Sequence, residues 1–137
     1  PAGALGKKLL VKVSDVMHTG AGNAVVHEGS SLRSAIVEMS AKGLSMVTIV
    51  DSEQKLRGII TDGDLRRMLE KGVDVYNETV DKVMTPNPKW IDSREMAVNA
   101  LQFMSDMRIT CMPVLDGEGA VVGSILMHDI FKAGIVR

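Results

Sequence analysis

The sequence predicts an α/β protein built from two tandem copies of one β-α-β-β-α unit. Three observations support this prediction: an internal repeat, short β-branched runs that alternate with segments of helical periodicity, and breaks that contain Gly, Pro or Asp. The chain has 137 residues, of which 45% are hydrophobic and 24% charged, so it is large enough to bury a core without staples.

The repeat is seen when residues 13–17 are set over residues 80–84, an offset of 67. Further along the chain the offset is 65, so the first copy has two extra residues in the loop after Met17. The matches at this second offset include Ile49-Val50-Asp51 with Val114-Leu115-Asp116, Gly58 with Gly123, and Asp64 with Asp129. Because two copies of about 60 residues bury little surface alone, we expect them to pack face to face.

The first copy covers residues 13–72. Its predicted elements are a strand at 24–26, a helix capped by Ser30 or Ser31 and ended by Gly43, strands at 46–50 and 56–61, and a helix from Asp62 to near Gly72. The helix prediction rests on apolar residues at helical spacing, namely Leu32, Ile36 and Met39.

The second copy covers residues 80–137 and follows a linker at 73–79. Its predicted elements are a strand at 89–91, a helix capped by Ser93, strands at 112–115 and 120–126, and a last helix that starts at His128 or Asp129. Residues 85–88, Thr-Pro-Asn-Pro, are predicted to form a turn because proline fits neither a helix interior nor a central strand.

Thr61 and Asp64 lie three residues apart where a predicted strand becomes a helix. A helix N-terminus presents free N–H groups and the positive end of the helix dipole, which favours a phosphate-bearing ligand. The same pattern is that of a capping box, in which the two side chains satisfy backbone N–H groups. The sequence leaves both interpretations open, and one residue pair can serve both.

Composition excludes several classes of protein. The net charge of −1 gives no basic excess for nucleic acid, and no apolar run approaches a membrane span. The single cysteine, Cys111, forms no internal disulfide, which fits a reducing cytoplasm. We therefore expect a cytoplasmic protein without nucleic-acid or membrane partners.

The repeat, the element order and the Gly-x-x-Thr-x-x-Asp motif at 58–64 together resemble a tandem pair of CBS domains, also called a Bateman module, over residues 13 to about 133. The resemblance implies two units packed through their sheets about a pseudo-twofold axis, with two clefts. In such modules the clefts often hold an adenosine nucleotide or another phosphorylated metabolite. The resemblance implies that Thr61 and Asp64 grip the ribose hydroxyls.

The family positions imply which residues line the clefts. In the first they are Ser45, Met46 and Val47 with Thr61 and Asp64; in the second they are Thr110, Cys111 and Met112 with His128 and Asp129; His18 faces one of the two. Leu126 stands where the first copy has Thr61, so we predict that the first cleft is the better ribose site. The second cleft is either empty or uses His128 to bind an acid or a phosphate. In the first copy, Arg66 and Arg67 either reach a ligand phosphate or lie on a solvated face of the helix.

Residues 1–12 begin with a Gly/Ala-rich run that resembles the end of the sugar-isomerase domain in D-arabinose-5-phosphate isomerases that carry a CBS pair. Segments 13–20, 61–67 and 127–130 resemble the same family, although Ala2 stands where Gly is usual. We therefore expect the C-terminal module of a longer enzyme. That parent would interconvert D-ribulose 5-phosphate and D-arabinose 5-phosphate for 3-deoxy-manno-octulosonate synthesis, in lipopolysaccharide or capsule.

We expect no catalysis and no required cofactor in these 137 residues. Cys111 is predicted to be a small buried residue, and His18, His27 and His128 show no metal-ligand spacing. Two functions remain. The first is a regulatory sensor that binds an adenosine nucleotide or a CMP-sugar and acts on its own isomerase domain; the second is a constitutive oligomerisation module. CBS pairs commonly form dimers, and the parent would then be a tetramer.

Overall fold

The computed structural model describes residue 6 and residues 9–135, which divide between two compact units. The first-repeat unit comprises residues 21–88, and the second-repeat unit comprises the segment up to residue 20 together with the segment from residue 89 onward. Each unit has one sheet and its own helices, so the predicted α/β class is confirmed. Most of the predicted tail, residues 1–12, lies outside the described residues.

The elements of the first-repeat unit are β1 (Val25–His27), α2 (Leu32–Lys42), β2 (Met46–Val50), β3 (Leu56–Thr61), α3 (Asp62–Glu70), α4 (Val80–Val83) and β4 (Thr85–Pro86); the helix α1 (Val13–Val16) belongs to the other unit. The four strands form one sheet in the order β1-β2-β3-β4. Strand β1 is parallel to β2, and the other two pairs are antiparallel. Residues 85–86, predicted to lie in a turn, thus form a two-residue edge strand, where proline is tolerated.

Helix α2 forms where the apolar spacing predicted it. Ser31 caps it by accepting a hydrogen bond from the Ser34 N–H at 3.0 Å. Gly43 ends the helix in the left-handed conformation, with φ of 64°, which glycine adopts without strain. The buried residues Leu32, Ala35 and Met39 line one face of the helix.

The second-repeat unit contains a three-stranded sheet in the order β5-β6-β7. Its elements are α1 (Val13–Val16), β5 (Ile91–Asp92), α5 (Ala97–Met107), β6 (Cys111–Leu115), β7 (Val121–Leu126) and α6 (Met127–Lys132). The core of this unit joins the sheet to α5 and α6 through Ala97, Ala100, Leu101, Met104, Met112, Val114, Ile125 and Ile130.

The opening segment of each repeat belongs to the unit formed mainly by the other repeat. The Val13 N–H donates to the Glu95 carbonyl at 2.8 Å, and the Val80 N–H donates to the Ser30 carbonyl at 2.9 Å. The compact units therefore do not follow the sequence copies 13–72 and 80–137 residue for residue.

Gly58 and Gly123 allow these opening segments to lie against the sheets. A Cβ atom on Gly123 would come within 2.5 Å of the His18 carbonyl oxygen, and one on Gly58 within 2.8 Å of the Thr85 carbonyl oxygen. Real Cβ atoms essentially never approach other atoms so closely, so both repeats need glycine at this position.

The predicted Ser93 cap is wrong, and both helix starts of the second copy are shifted. Helix α5 begins at Ala97, because Met96 before it is extended and forms an isolated antiparallel bridge with Lys12. Helix α6 begins at Met127, one residue before the earlier of the two predicted starts. The strand predicted at 89–91 is found at Ile91–Asp92.

Candidate functional site

Thr61 and Asp64 form a reciprocal capping box at the start of α3. Thr61 Oγ1 accepts a hydrogen bond from the Asp64 N–H at 3.2 Å, and Asp64 Oδ2 accepts one from the Thr61 N–H at 2.9 Å. The capping interpretation of the motif is therefore confirmed. Both side chains are held in place by the backbone of the junction itself.

The second oxygen of Asp64 is paired with Arg67. The Arg67 guanidinium donates to Asp64 Oδ1 at 2.7 Å; 62% of the Arg67 side chain is exposed, against 20% for Asp64. A carboxylate has about four acceptor positions, so these two bonds leave Asp64 able to accept more. The Thr61 hydroxyl keeps its own hydrogen for donation, since it acts as an acceptor in the cap.

The three middle-strand residues predicted to line this position are placed differently from one another. Met46 lies directly opposite Thr61 in the antiparallel β2–β3 pair, so the two side chains share one face of the sheet. Ser45 is half-buried and its carbonyl accepts the Asp62 N–H at 3.0 Å. Val47 is fully buried and points to the opposite face, because successive side chains alternate along a strand.

Two hollows adjoin the junction within the first-repeat unit. One, of about 250 Å³, is lined by Asp64, Arg67, Met68, Lys71, Val73 and Val83. The other, of about 350 Å³, lies between the end of α2 and the start of α3 and is lined by Ile36, Met39, Ser40, Gly43, Leu44, Ser45, Asp62 and Leu65. The smaller hollow joins the Asp64 carboxylate to two cationic side chains, which suits a ligand that carries both hydroxyls and a negative charge.

The equivalent position in the second-repeat unit has a different arrangement. Asp129 Oδ2 lies 2.8 Å from His18 Nε2, and the two side chains are 18% and 33% exposed. Leu126 precedes α6 without any side-chain cap. His18 is held on both sides by the backbone, since it exchanges two hydrogen bonds with Ser124 at 2.8 and 3.0 Å.

The remaining predicted residues of this unit do not converge on Asp129 as a group. His128 is exposed on α6, and Thr110 is exposed while its carbonyl accepts the Met127 N–H at 2.8 Å. Cys111 is buried, as predicted, and Met112 is a fully buried member of the core. The structure thus brings His18 and Asp129 together and leaves His128 in solvent.

Among the residues that the structure describes, no group of three or more His, Cys, Asp or Glu side chains is placed to hold a metal ion. Within the same part of the chain, no helix is long and apolar enough to cross a membrane.

The family model of the CBS domain matches the chain twice, at residues 13–71 and 80–135. The chain belongs to the CBS-domain family. The Thr61–Asp64 capping box and the His18–Asp129 pair are therefore features of a CBS pair.

The chain also matches arabinose 5-phosphate isomerases named KdsD. It is 46% identical over 136 residues to the protein of Pseudomonas aeruginosa and 43% identical over 136 residues to that of Escherichia coli strain K12. These matches cover 99% of this chain and 42% and 41% of the two relatives, whose C-terminal region they include. This CBS pair thus spans about two fifths of the length of its curated relatives, and the expected resemblance to D-arabinose-5-phosphate isomerases is confirmed.

Solved CBS pairs share the fold. The CBS pair of protein MJ0100, in complex with 5-methylthioadenosine and S-adenosyl-L-methionine, superposes with a TM-score of 0.80 at 26% identity, covering 91% of this chain and 96% of that one. CBSX2 from Arabidopsis thaliana superposes with a TM-score of 0.74 at 22% identity, covering 90% and 94%. The second likeness concerns the fold alone.

Sequence reasoning missed the His18–Asp129 contact, although it named both residues. They are 111 positions apart, and no local pattern pairs them. The repeat offers one signal in retrospect, because His18 corresponds to Thr85 in the other copy and Ser124 corresponds to Ile59. Thr85 pairs with Ile59 at the edge of the first sheet, and His18 forms the equivalent bridge with Ser124.

Proposed function

We propose that this CBS pair is a regulatory module that binds a nucleotide or nucleotide-sugar through Thr61 and Asp64. The observation that carries the proposal is the capping box at the start of α3. It fixes one hydroxyl and one carboxylate side by side while leaving hydrogen-bonding capacity on both.

A ribose offers a vicinal diol to such a pair. Asp64 accepts hydrogen bonds from the two hydroxyls, and the Thr61 hydroxyl donates one to a ribose oxygen. Arg67 sits beside Asp64 as an exposed ion pair, and such pairs contribute only about 0–1 kcal/mol. Its guanidinium can therefore turn from Asp64 toward a ligand phosphate at small cost, with Lys71 lining the same hollow.

This chemistry and a structural neighbour support two ligand classes. The adenosine compounds bound by the CBS pair of MJ0100 support an adenosine ligand. A CMP-sugar is the second candidate, because the proposed pathway leads to activated 3-deoxy-manno-octulosonate and an end product is a suitable regulator. Both ligands carry the ribose and phosphate that the site can hold.

We propose further that the whole protein is a cytoplasmic arabinose 5-phosphate isomerase and that this module regulates its catalytic domain. The KdsD relatives are arabinose 5-phosphate isomerases, which supports the proposal. Regulation requires the ligand to bind two states of the protein with different affinity, because equal affinity shifts no equilibrium.

A thermal-shift screen with AMP, ATP, CMP and CMP-3-deoxy-manno-octulosonate tests the proposal on this chain. A ligand at 100 times its dissociation constant stabilises the protein by about 2.7 kcal/mol. Asp64→Ala should weaken binding by about 1.5–3 kcal/mol, the usual contribution of a hydrogen bond to a charged group. Asp129→Ala is the matched control, since it removes the equivalent carboxylate of the other repeat.

Equal losses in Asp64→Ala and Asp129→Ala would show that the Thr61–Asp64 position is not the preferred site, and an unchanged affinity in Asp64→Ala would remove Asp64 from the site. The absence of any response to all four nucleotides, in a protein that still self-associates, would favour the constitutive oligomerisation module instead.

A further inference from the structure

The side-chain hydroxyl of Thr48 is buried and has no hydrogen-bond partner. Thr48 lies in the middle of β2, its side chain is 0% exposed, and among the described residues its Oγ1 is the one buried side-chain nitrogen or oxygen with no hydrogen bond. Buried hydroxyls are normally paired, because losing their bonds to water without replacement destabilises the folded state. An unpaired hydroxyl at the centre of a strand therefore calls for a physical explanation.

The register of the sheet places Thr48 on the face that carries Thr61. Met46 pairs with Thr61, and Thr48 pairs with Ile59, two residues further along the same antiparallel ladder. Side chains at alternate positions share a face, so Thr48 lies on the face of Met46 and Thr61 and is the diagonal neighbour of Thr61. Diagonal neighbours on a sheet are about 7–8 Å apart, a separation that a nucleoside can span between its ribose hydroxyls and the far edge of its base.

The two repeats differ at both of these positions. Where the first repeat has Thr48 and Thr61, the second has Pro113 and Leu126, neither of which carries a hydroxyl. The register is the same, since Cys111 pairs with Leu126 and Pro113 with Ser124. On this face the first-repeat unit carries the hydroxyls of Thr48 and Thr61, whereas the hydroxyl of the second-repeat unit belongs to Ser124, on the strand opposite Pro113.

We infer that Thr48 is a specificity-determining residue that hydrogen-bonds the polar edge of the nucleobase while Thr61 and Asp64 hold the ribose. The inference rests on the proposed function. A hydroxyl both donates and accepts, so Thr48 can pair with the exocyclic amino group of adenine or of cytosine. Met46 is buried beside both residues, opposite Thr61 and two positions before Thr48 on β2, and its flexible side chain must repack to admit a base.

The isosteric substitution Thr48→Val tests the inference because it is expected to stabilise the free protein and at the same time to weaken nucleotide binding. Removing an unpaired buried hydroxyl should raise the Tm of the free protein by about 3 °C. The same change should weaken AMP binding by about tenfold, since one hydrogen bond to the base is lost. Thr85→Val, at an exposed threonine of the same unit, is the control and should leave both quantities unchanged.

Purine riboside 5′-monophosphate, which lacks the amino group of AMP, identifies the part of the ligand that Thr48 contacts. The unmodified chain should bind it about tenfold more weakly than AMP, and Thr48→Val should bind the two alike. Isothermal titration calorimetry measures these affinities.

The outcomes separate this inference from the proposed function. If the unmodified chain binds AMP and Thr48→Val binds it equally well, the role of Thr48 is overturned while the nucleotide site stands. Equal weakening of both ligands by Thr48→Val would also overturn it, because the contact would not be to the amino group. A chain that binds neither AMP nor CMP removes the proposed site and the Thr48 contact together, whatever the Tm of Thr48→Val.

Discussion

His18 and Asp129 are joined by a 2.8 Å contact between Nε2 and Oδ2, across 111 residues of chain. The contact ties the opening segment of the first repeat to the last helix of the second-repeat unit. Asp64, the counterpart of Asp129, instead pairs with Arg67 on its own helix and with the Thr61 backbone. The same aspartate of the repeat thus stabilises a tertiary contact in one unit and a helix start in the other.

A double-mutant cycle on His18→Ala and Asp129→Ala should give a coupling free energy of about 0.5–1.5 kcal/mol, the usual net contribution of one partly buried hydrogen bond. The cycle on Arg67→Ala and Asp64→Ala serves as the comparison and should give at most about 0.5 kcal/mol, because Arg67 is largely exposed. Urea denaturation measures both. Additive effects of the His18 and Asp129 substitutions would show that their contact contributes no stability.

Gly123→Ala should lower the free energy of unfolding by about 1–3 kcal/mol, because its Cβ would meet the His18 backbone and force the opening segment away from the sheet. Gly63→Ala is the matched control. Its Cβ would meet only the Arg67 guanidinium, at 3.4 Å, within a helix where alanine is favoured over glycine by about 0.5–1 kcal/mol. In thermal unfolding we expect Gly123→Ala to lower the Tm and Gly63→Ala to raise it. A lower Tm in both variants would show that the contact with the His18 backbone is not the cause of the loss in Gly123→Ala.

Leu126→Thr should stabilise the second-repeat unit by about 0.5–1 kcal/mol. Leu126 precedes α6 in an extended conformation, with φ of −110° and ψ of 140°, close to that of Thr61 before α3. A threonine there can cap the helix, and such caps contribute about 0.5–2 kcal/mol, less the apolar burial that Leu126 loses. A lower Tm would show that leucine packing at this half-buried position outweighs the cap.

Asp92 is expected to contribute to stability above about pH 4 and to lose this contribution as the pH falls toward 2. Hydrogen bonds from the Arg94 side chain and backbone lower the pKa of Asp92 to about 2, below its ordinary value near 3.9 in an unfolded chain. Because the folded-state pKa is the lower one, the unfolded chain takes up the proton first and is favoured by acid. Thermal unfolding of Asp92→Asn should match the unmodified chain near pH 2 and fall below it near pH 5. The same difference in Tm between the two proteins at both pH values would show that titration of Asp92 does not cause the pH dependence.

Much of the fold could be predicted from local patterns. The repeat, the strands at 46–50 and 56–61, the helix that Ser31 caps and Gly43 ends, and the capping box at Thr61 and Asp64 all depend on residues within a few positions of one another. Helix starts can be predicted from the sequence because the free N–H groups there donate to side chains of residues only two or three positions away.

The tertiary structure decided what those patterns could not. It placed α1 in the second-repeat unit and joined His18 to Asp129. It also kept Met96 extended against Lys12, so that α5 starts at Ala97, and left the Thr48 hydroxyl unpaired on the face of Thr61. Each of these depends on which strands are neighbours and in which register. Strand neighbours and strand register are set by the topology of the whole chain, and the local pattern of apolar and polar residues does not specify them. Register matters because a shift of one residue would turn every side chain of a strand to the other face of the sheet.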